Sequence, residues 1–159
     1  MAPQPQCVTF SFVNCAKGNT VVTAENITFV TVFNELLPAR MASDYKGPSS
    51  LLDGWDSIVR QCEDGYTFGL SEFSNDLWVR NFIDRLCADP GVIDDPVRIE
   101  FMTVLEDIDR RFKSMLAPEF QIGQSDMPWW QRGVLRYAEE EYVEDLRNQY
   151  GIEIDTLGQ

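Results

Sequence analysis

Residues 128–151 read PWWQRGVLRYAEEEYVEDLRNQYG, and this stretch decides the fold that we predict for the chain. Its apolar residues recur at spacings of three and four, which is typical of an amphipathic helix. Ser125 or Asp126 would cap the helix, Pro128 would lie in its first turn, and Gly151 would follow its last residue. The pattern therefore predicts one long helix whose apolar face turns toward the core.

Acidic side chains crowd the opposite face of this predicted helix. Glu140, Glu141 and Glu144 lie opposite the apolar arc, and Asp145 lies at its boundary. Glu139 falls on the apolar side, so we expect it near the edge of the core. Such a face is either a solvated surface or a surface complementary to a basic protein, and the residues alone leave both interpretations open.

Nearby arginines neutralise this face only in part. At helical spacing, Arg136 can reach Glu140 and Arg147 can reach Glu144. Like charges four residues apart destabilise a helix mildly, so the pairs that remain have a cost. Those pairs are Glu140–Glu144 and Glu141–Asp145.

The remainder of the chain predicts a compact, mainly α-helical bundle of four to five helices. Helices are expected over residues 26–37, 49–62, 70–87 and 96–116, and short connections favour antiparallel neighbours. Residues 117–128 are predicted as a loop. The four tryptophans are expected mainly in or near the core, with exposure beside an acidic patch as the alternative: Trp55, Trp78, Trp129 and Trp130.

The N-terminal segment has a different pattern. Residues 8–13 alternate and are rich in β-forming residues, and residues 20–23 can return as a second strand. We therefore predict one domain with an N-terminal arm or β-hairpin over residues 1–24, a helical bundle over 25–152 and a tail over 153–159.

The net charge of −13 limits the possible partners. Residues 1–48 carry equal numbers of acidic and basic side chains, so the whole excess lies in residues 49–159. This balance disfavours nucleic acid and anionic membranes as partners, and it favours a basic protein. No apolar run approaches the length of a membrane span, and the start lacks the features of a signal peptide, so we expect a cytoplasmic protein.

Signatures of catalysis are missing from the sequence. The chain has no histidine, no phosphate-binding glycine motif and no calcium-loop pattern. We therefore expect a protein that is not an enzyme and that needs no cofactor or metal. The four cysteines fit no zinc spacing. Their even number would permit two disulfides, but nothing in the sequence indicates secretion, so we expect reduced thiols at Cys7, Cys15, Cys62 and Cys87.

Five groups of residues, in this order, resemble a group of small, acidic, helical bacterial proteins. Proteins of that group tend to be encoded beside polymorphic toxins, and many are presumed immunity proteins. The resemblance covers roughly residues 30–152 and implies a helical fold, but it carries over no binding residue. The groups are Gly65-Tyr66, Asn75-Asp76-Leu77-x-Val79-Arg80, Leu105-x-x-Ile108-Asp109-x-Arg111-Phe112, Trp129-Trp130-x-Arg132-Gly133-Val134 and Glu140-Glu141-Tyr142-x-x-Asp145-Leu146-x-x-x-Tyr150-Gly151-Ile152.

The resemblance and the charge together lead to a functional hypothesis. We expect an immunity protein that binds a cognate basic, nuclease-like toxin domain and occludes its active site. An acidic secretion chaperone or adaptor for an effector protein is the alternative. The expected binding residues are Glu140, Glu141, Glu144 and Asp145, with a second patch on the middle helices at Asp53, Asp56, Asp64 and Asp76, where Glu63 and Glu72 are neighbours.

Overall fold

The computed structural model describes residues 27–157, and these residues form a mainly helical fold with two small sheets. The prediction of a mainly helical protein is confirmed at that level. The arm or hairpin predicted for residues 1–24 lies outside the described residues. Among residues 27–157, no helix has both the length and the apolar character that crossing a membrane requires.

Seven α-helices and four short strands make up the described part of the chain. Two 3₁₀ turns, at Ala39–Met41 and Pro90–Val92, join some of the helices. The helices are α1 Phe29–Leu36, α2 Pro48–Asp64, α3 Leu70–Asp76, α4 Trp78–Cys87, α5 Pro96–Ser114, α6 Trp129–Arg132 and α7 Glu140–Tyr150. The strands are β1 Leu116–Gln121, β2 Gly133–Leu135, β3 Tyr137–Ala138 and β4 Asp155–Thr156.

Local cap signals place the first helices much as predicted. Asp95 caps α5 by accepting a hydrogen bond from the backbone N–H of Val97 at 2.8 Å. Its other oxygen accepts from the N–H of Phe29 at 2.8 Å, so the same carboxylate ties α1 to α5. Gly65 ends α2 with a φ of 99°, which few other residues adopt. Thr28 caps α1, so this helix begins at Phe29 and not at residue 26 as predicted.

The prediction of one long helix over residues 128–151 is wrong. That stretch forms α6, then β2 and β3, and only then α7. Strand β2 pairs with β1, which lies in the segment predicted as a loop. A Cβ at Gly133 would come within 2.5 Å of the Leu116 side chain, which would have to shift to make room for it. The helix predicted over 70–87 is likewise divided, at Leu77, into α3 and α4.

The segment predicted as a tail is part of the fold. Strand β4 pairs in parallel with β3, and the N–H of Leu157 donates to the carbonyl of Ala138 at 2.9 Å. The Leu157 side chain lies directly against Gly65, where any Cβ would collide with it. The last described residues therefore close over the turn that follows α2.

The core contains a buried ion pair between α4 and α5. The guanidinium of Arg80 donates to both oxygens of Asp109, at 3.0 and 2.9 Å. The indole N–H of Trp55 donates to the same carboxylate at 2.9 Å, and the ring of Trp130 lies 4.1 Å from the guanidinium carbon. Trp55 and Trp130 are thus core residues, as predicted, while Trp78 and Trp129 are half-buried.

Candidate functional site

Helix α7 carries the acidic residues that the sequence singled out. It packs against α3, and its buried side chains are Tyr142, Val143 and Leu146. Glu140, Glu141 and Glu144 point away from these residues and are exposed. Their predicted exposure is therefore confirmed, although the helix that carries them begins much later than expected.

Asp145 has a structural role that the sequence did not indicate. Its carboxylate accepts a hydrogen bond from the backbone N–H of Leu70 at 2.9 Å, at the start of α3. The residue before α3 is Gly69, which has no side chain with which to cap the helix. Asp145 supplies the missing cap from α7, and this explains why it is half-buried.

Gly69 lets three carboxylates converge beside the α3 terminus. A Cβ at this position would lie 2.6 Å from an oxygen of Asp145, 3.1 Å from one of Glu141 and 3.3 Å from one of Glu72. Any larger residue would therefore push these carboxylates apart. Glu72 of α3 thus joins the acidic residues of α7, from which it is separated by about 70 positions in the sequence.

We define the acidic face as five glutamates on α3 and α7 and just before α7. Four of them line, together with Thr67, a shallow depression of about 590 Å³. Among residues 27–157, no lysine or arginine forms an ion pair with any of the five. The members of the acidic face are Glu72, Glu139, Glu140, Glu141 and Glu144.

The two arginines expected to neutralise this face bind elsewhere. Arg136 lies between β2 and β3, and its Nε donates to the carbonyl of Leu116 at 2.8 Å. Arg147 pairs with Glu153, with 3.2 Å between Nε and Oε1. The predicted partners were Glu140 and Glu144, so both predictions are wrong because α7 starts after Arg136 and its C-terminal end meets residue 153. The acidic face is therefore less neutralised than the sequence indicated.

A local effect explains part of this acidic sequence. Glu140 and Glu141 lie in the first turn of α7, where the helix dipole stabilises negative charge. Their repulsion from residues four positions later is offset there to some extent. Glu144 lies one turn further on, beyond the first turn that the helix dipole stabilises. It also forms no ion pair within residues 27–157.

Part of the second acidic patch is paired inside the fold. Arg111 of α5 donates to both oxygens of Glu63, at 2.9 and 2.7 Å, and also to Asp56. Asp56 also pairs with Arg60 at 2.7 Å. The hydrogen bond from Arg111 holds the pKa of Glu63 below its ordinary value. Partial burial acts to raise the pKa of Asp56, but Arg111 and then Arg60 outweigh it and the pKa is lowered.

The other members of this patch divide into two kinds. Asp76 accepts a hydrogen bond from the hydroxyl of Tyr66 at 2.6 Å, and burial followed by this contact raises the pKa of the phenol. Asp53 and Asp64 are exposed and form no ion pair within residues 27–157. The predicted second patch is therefore part structural and part solvent-facing.

The described cysteines are not candidates for reactivity. Cys62 and Cys87 are free and buried. Burial raises the pKa of the Cys62 thiol to about 12 and that of the Cys87 thiol to about 11, so both are protonated at neutral pH. Residues 27–157 contain no group of three or more metal-ligating side chains that could hold an ion.

No protein-family model, no curated protein and no solved structure matches this chain.

Proposed function

We propose that this protein is an immunity protein that binds a cognate basic, nuclease-like toxin domain and occludes its active site. The observation that supports the proposal is the unpaired charge of the acidic face. Carboxylates that satisfy neighbours inside the fold, such as Asp145, have a structural explanation. For Glu144 and the glutamates around it, the fold explains the negative charge only in part. A positively charged partner would be complementary to that charge.

The expected partner follows from the chemistry of the acidic face. A nuclease holds its substrate in a groove lined by lysine and arginine, which bind successive phosphates. A row of carboxylates can occupy such a groove and displace the nucleic acid. Opposite charges also accelerate encounter between the two proteins, and this acceleration weakens as salt rises.

The fold holds the acidic face in a defined position. The N–H of Glu139 donates to the carbonyl of Tyr66 at 2.9 Å, which fixes the start of α7. Asp145 fixes its middle against Leu70. A surface that is already ordered loses less conformational entropy on binding, so its charges contribute more to affinity.

The experiment is to produce the protein together with the product of the neighbouring gene and to measure their complex by calorimetry. Charge reversal at two exposed positions, Glu140→Lys with Glu144→Lys, is expected to weaken binding by at least about 100-fold, as loss of close charge pairs does. The matched control, Glu106→Lys with Asp107→Lys on α5, changes the net charge equally at two exposed positions and should bind nearly as the parent does.

Two results would overturn the proposal. One is a complex whose affinity is unchanged by the α7 reversal. The other is the absence of any complex, together with no protection of cells that produce the neighbouring protein. Equal weakening by the α7 and α5 pairs would show a nonspecific charge effect and would also contradict it.

A second candidate function, an acidic secretion chaperone or adaptor, is favoured by a separate observation. An apolar groove of about 330 Å³ lies between α2 and α5, lined in part by Leu52, Val97 and Val104. Chaperones of this kind bind unfolded effector segments through apolar grooves. Binding of such a segment, lost in Val97→Ser with Val104→Ser and retained when the α7 glutamates are reversed, would support this function over immunity.

A further inference from the structure

Most of the exposed apolar side chains of the described fold lie near the start of α1 and just before or within the first half of α5. Residues 27–157 contain eight large apolar side chains that are exposed, and six of them lie in residues 27–30 and 93–104. Single exposed apolar residues are ordinary, but a concentration of them marks a surface that contacts something else. The six are Ile27, Val30, Ile93, Val97, Ile99 and Val104.

Two of these residues form the walls of the α2–α5 groove. Val97 and Val104 are 50% and 46% exposed, while Leu52 and Phe101 are buried at its floor. The groove has few polar groups in its lining, chiefly Ser49 and Glu100. Covering two valines removes apolar surface from water, so an apolar occupant would stabilise this part of the molecule.

The chain enters the described fold beside this groove. Ile27 lies against Gly91, in the turn that precedes α5. The ring of Phe29 packs edge-on against Phe101, with 5.1 Å between centroids, and Phe101 lines the groove. Phe29, close to the first described residue, therefore contacts a residue that lines the groove.

The sequence that precedes Ile27 has the composition of an occupant. Residues 1–16 carry no charged side chain, and residues 8–13 read VTFSFV. Fourteen residues separate Val13 from Thr28, and a chain segment of that length reaches as far as about 45 Å. The distance along α5 from Val97 to Val104 is only about 10 Å at the helical rise per residue. The segment is thus long enough to return to the groove.

We propose that the α2–α5 groove binds residues 8–13 of the same chain, with Phe10 and Phe12 as the apolar anchors. This inference is independent of the acidic face and of the proposed immunity function, and it competes with the chaperone alternative for the same groove. A tethered segment is present at an effective concentration in the millimolar range, so it occupies the groove ahead of a second copy or a separate effector segment. The groove is then a contact within one molecule.

A double-mutant comparison in the full chain measures the contact. Phe10→Ala with Phe12→Ala is expected to lower the Tm by several degrees, as is Val97→Ala with Val104→Ala. The combination of all four should lower it by little more than either pair, because both pairs remove one contact. Additive shifts, or no shift from the phenylalanine pair, would overturn the proposal.

The native cysteines provide a second test, since Cys7 and Cys15 flank the segment. Val104→Cys, oxidised with glutathione disulfide, should form a bond to Cys7 or Cys15 within one chain, identified by peptide mass spectrometry. Glu106→Cys, on the opposite face of α5, is the matched control and should form much less. A bond between two chains would assign the groove to a second copy, and equal trapping at both positions would show no docking; either result overturns the proposal.

Discussion

Two sets of acidic residues look alike in the sequence and differ in the fold. Asp56 and Glu63 of α2 share the guanidinium of Arg111, and their pKa values are lowered. The acidic face on α3 and α7 has no such cation among the described residues. Both sets belong to the part of the chain that carries the whole negative excess. The comparison shows that charge density along the chain does not separate a structural carboxylate from a free one.

The difference arises from residues that are distant in the sequence. Arg111 lies 55 positions from Asp56 and 48 from Glu63. The arginines that are close in sequence to Glu140 and Glu144 bind other groups instead. Tertiary structure therefore decides which carboxylates contribute to stability and which are available to a partner, and substitutions can measure the division.

The largest loss of unfolding free energy is expected for Asp109, a buried carboxylate that is paired with Arg80. Asp109→Ala removes the acceptor of Arg80 and Trp55 and leaves the buried guanidinium with only the more distant, exposed Asp84 as counter-ion, which costs about 3–5 kcal/mol of unfolding free energy. Urea denaturation followed by circular dichroism measures it. Asp107→Ala, which breaks a surface pair with Arg110, is the control and should cost less than about 1 kcal/mol. Similar losses in the two variants would contradict the distinction.

A smaller effect is expected when the shared cation of α5 is removed. Arg111→Met takes the hydrogen-bond donor from Asp56 and Glu63 and should cost about 1–2 kcal/mol at pH 7, a modest figure because these side chains are partly exposed. Arg110→Met, on the exposed side of the same helix, is the control. The measurement is again unfolding in urea.

The same variant gives a pH dependence with a defined sign. Because the pKa of Glu63 is lowered in the folded protein, the unfolded chain takes up its proton first as the pH falls. The stabilisation is complete above the ordinary carboxyl pKa and is lost on acidification through the lowered pKa. The difference in stability between the parent and Arg111→Met should therefore shrink as the pH falls below about 4.5. A difference that is constant from pH 7 to pH 3 would show that the pair contributes no charge-dependent stability.

Next in size is the loss of the cap that α7 provides to α3. Asp145→Ala leaves the N–H of Leu70 without its acceptor and should cost about 1 kcal/mol, as loss of an N-cap side chain does. Asn148→Ala, at an exposed position of the same helix, controls for the change in helix propensity. Thermal unfolding distinguishes the two variants. Equal Tm values would mean that the cap formed by Asp145 does not stabilise the fold.

The smallest effect is expected on the acidic face itself. Glu144→Gln removes a charge that repels Glu140 and has no ion-pair partner within residues 27–157, so stability should change by less than about 0.5 kcal/mol. Any change should be a slight gain that disappears at high salt. Calorimetry at low and high ionic strength provides the check. A loss above about 1 kcal/mol would mean that Glu144 belongs with the structural carboxylates.

Local sequence signals were sufficient to predict helices α2 and α5, but they were insufficient to predict the structure of residues 128–151. Caps such as Asp95 act within a few residues, so the sequence shows them directly. Val134, Leu135 and Ala138 fit a helical stripe equally well, because strands of two or three residues are too short to display alternation. Their conformation depends on pairing with β1 and β4. The three consecutive glutamates at 139–141 were the signal that a helix begins there, since acidic residues favour the first turn of a helix.

The candidate site was predictable to a similar extent. Exposure of Glu140, Glu141 and Glu144 follows from their position opposite buried residues of α7. The cap formed by Asp145 and the approach of Glu72 depend on contacts between α3 and α7 that span about 70 residues, and a single sequence does not indicate them. The convergence of three carboxylates beside Gly69 likewise depends on contacts between distant parts of the sequence.

The closure of Leu157 over Gly65 bears on how the protein is made. Synthesis proceeds from the N-terminus, so the helices up to α5 leave the ribosome before residues 155–157 exist. Until then β3 has no partner strand, and the turn after α2 lacks the side chain that covers it. The nascent chain therefore carries helices α1 to α5 while this end remains open, and the assembly of this end waits until residues 155–157 have been synthesised.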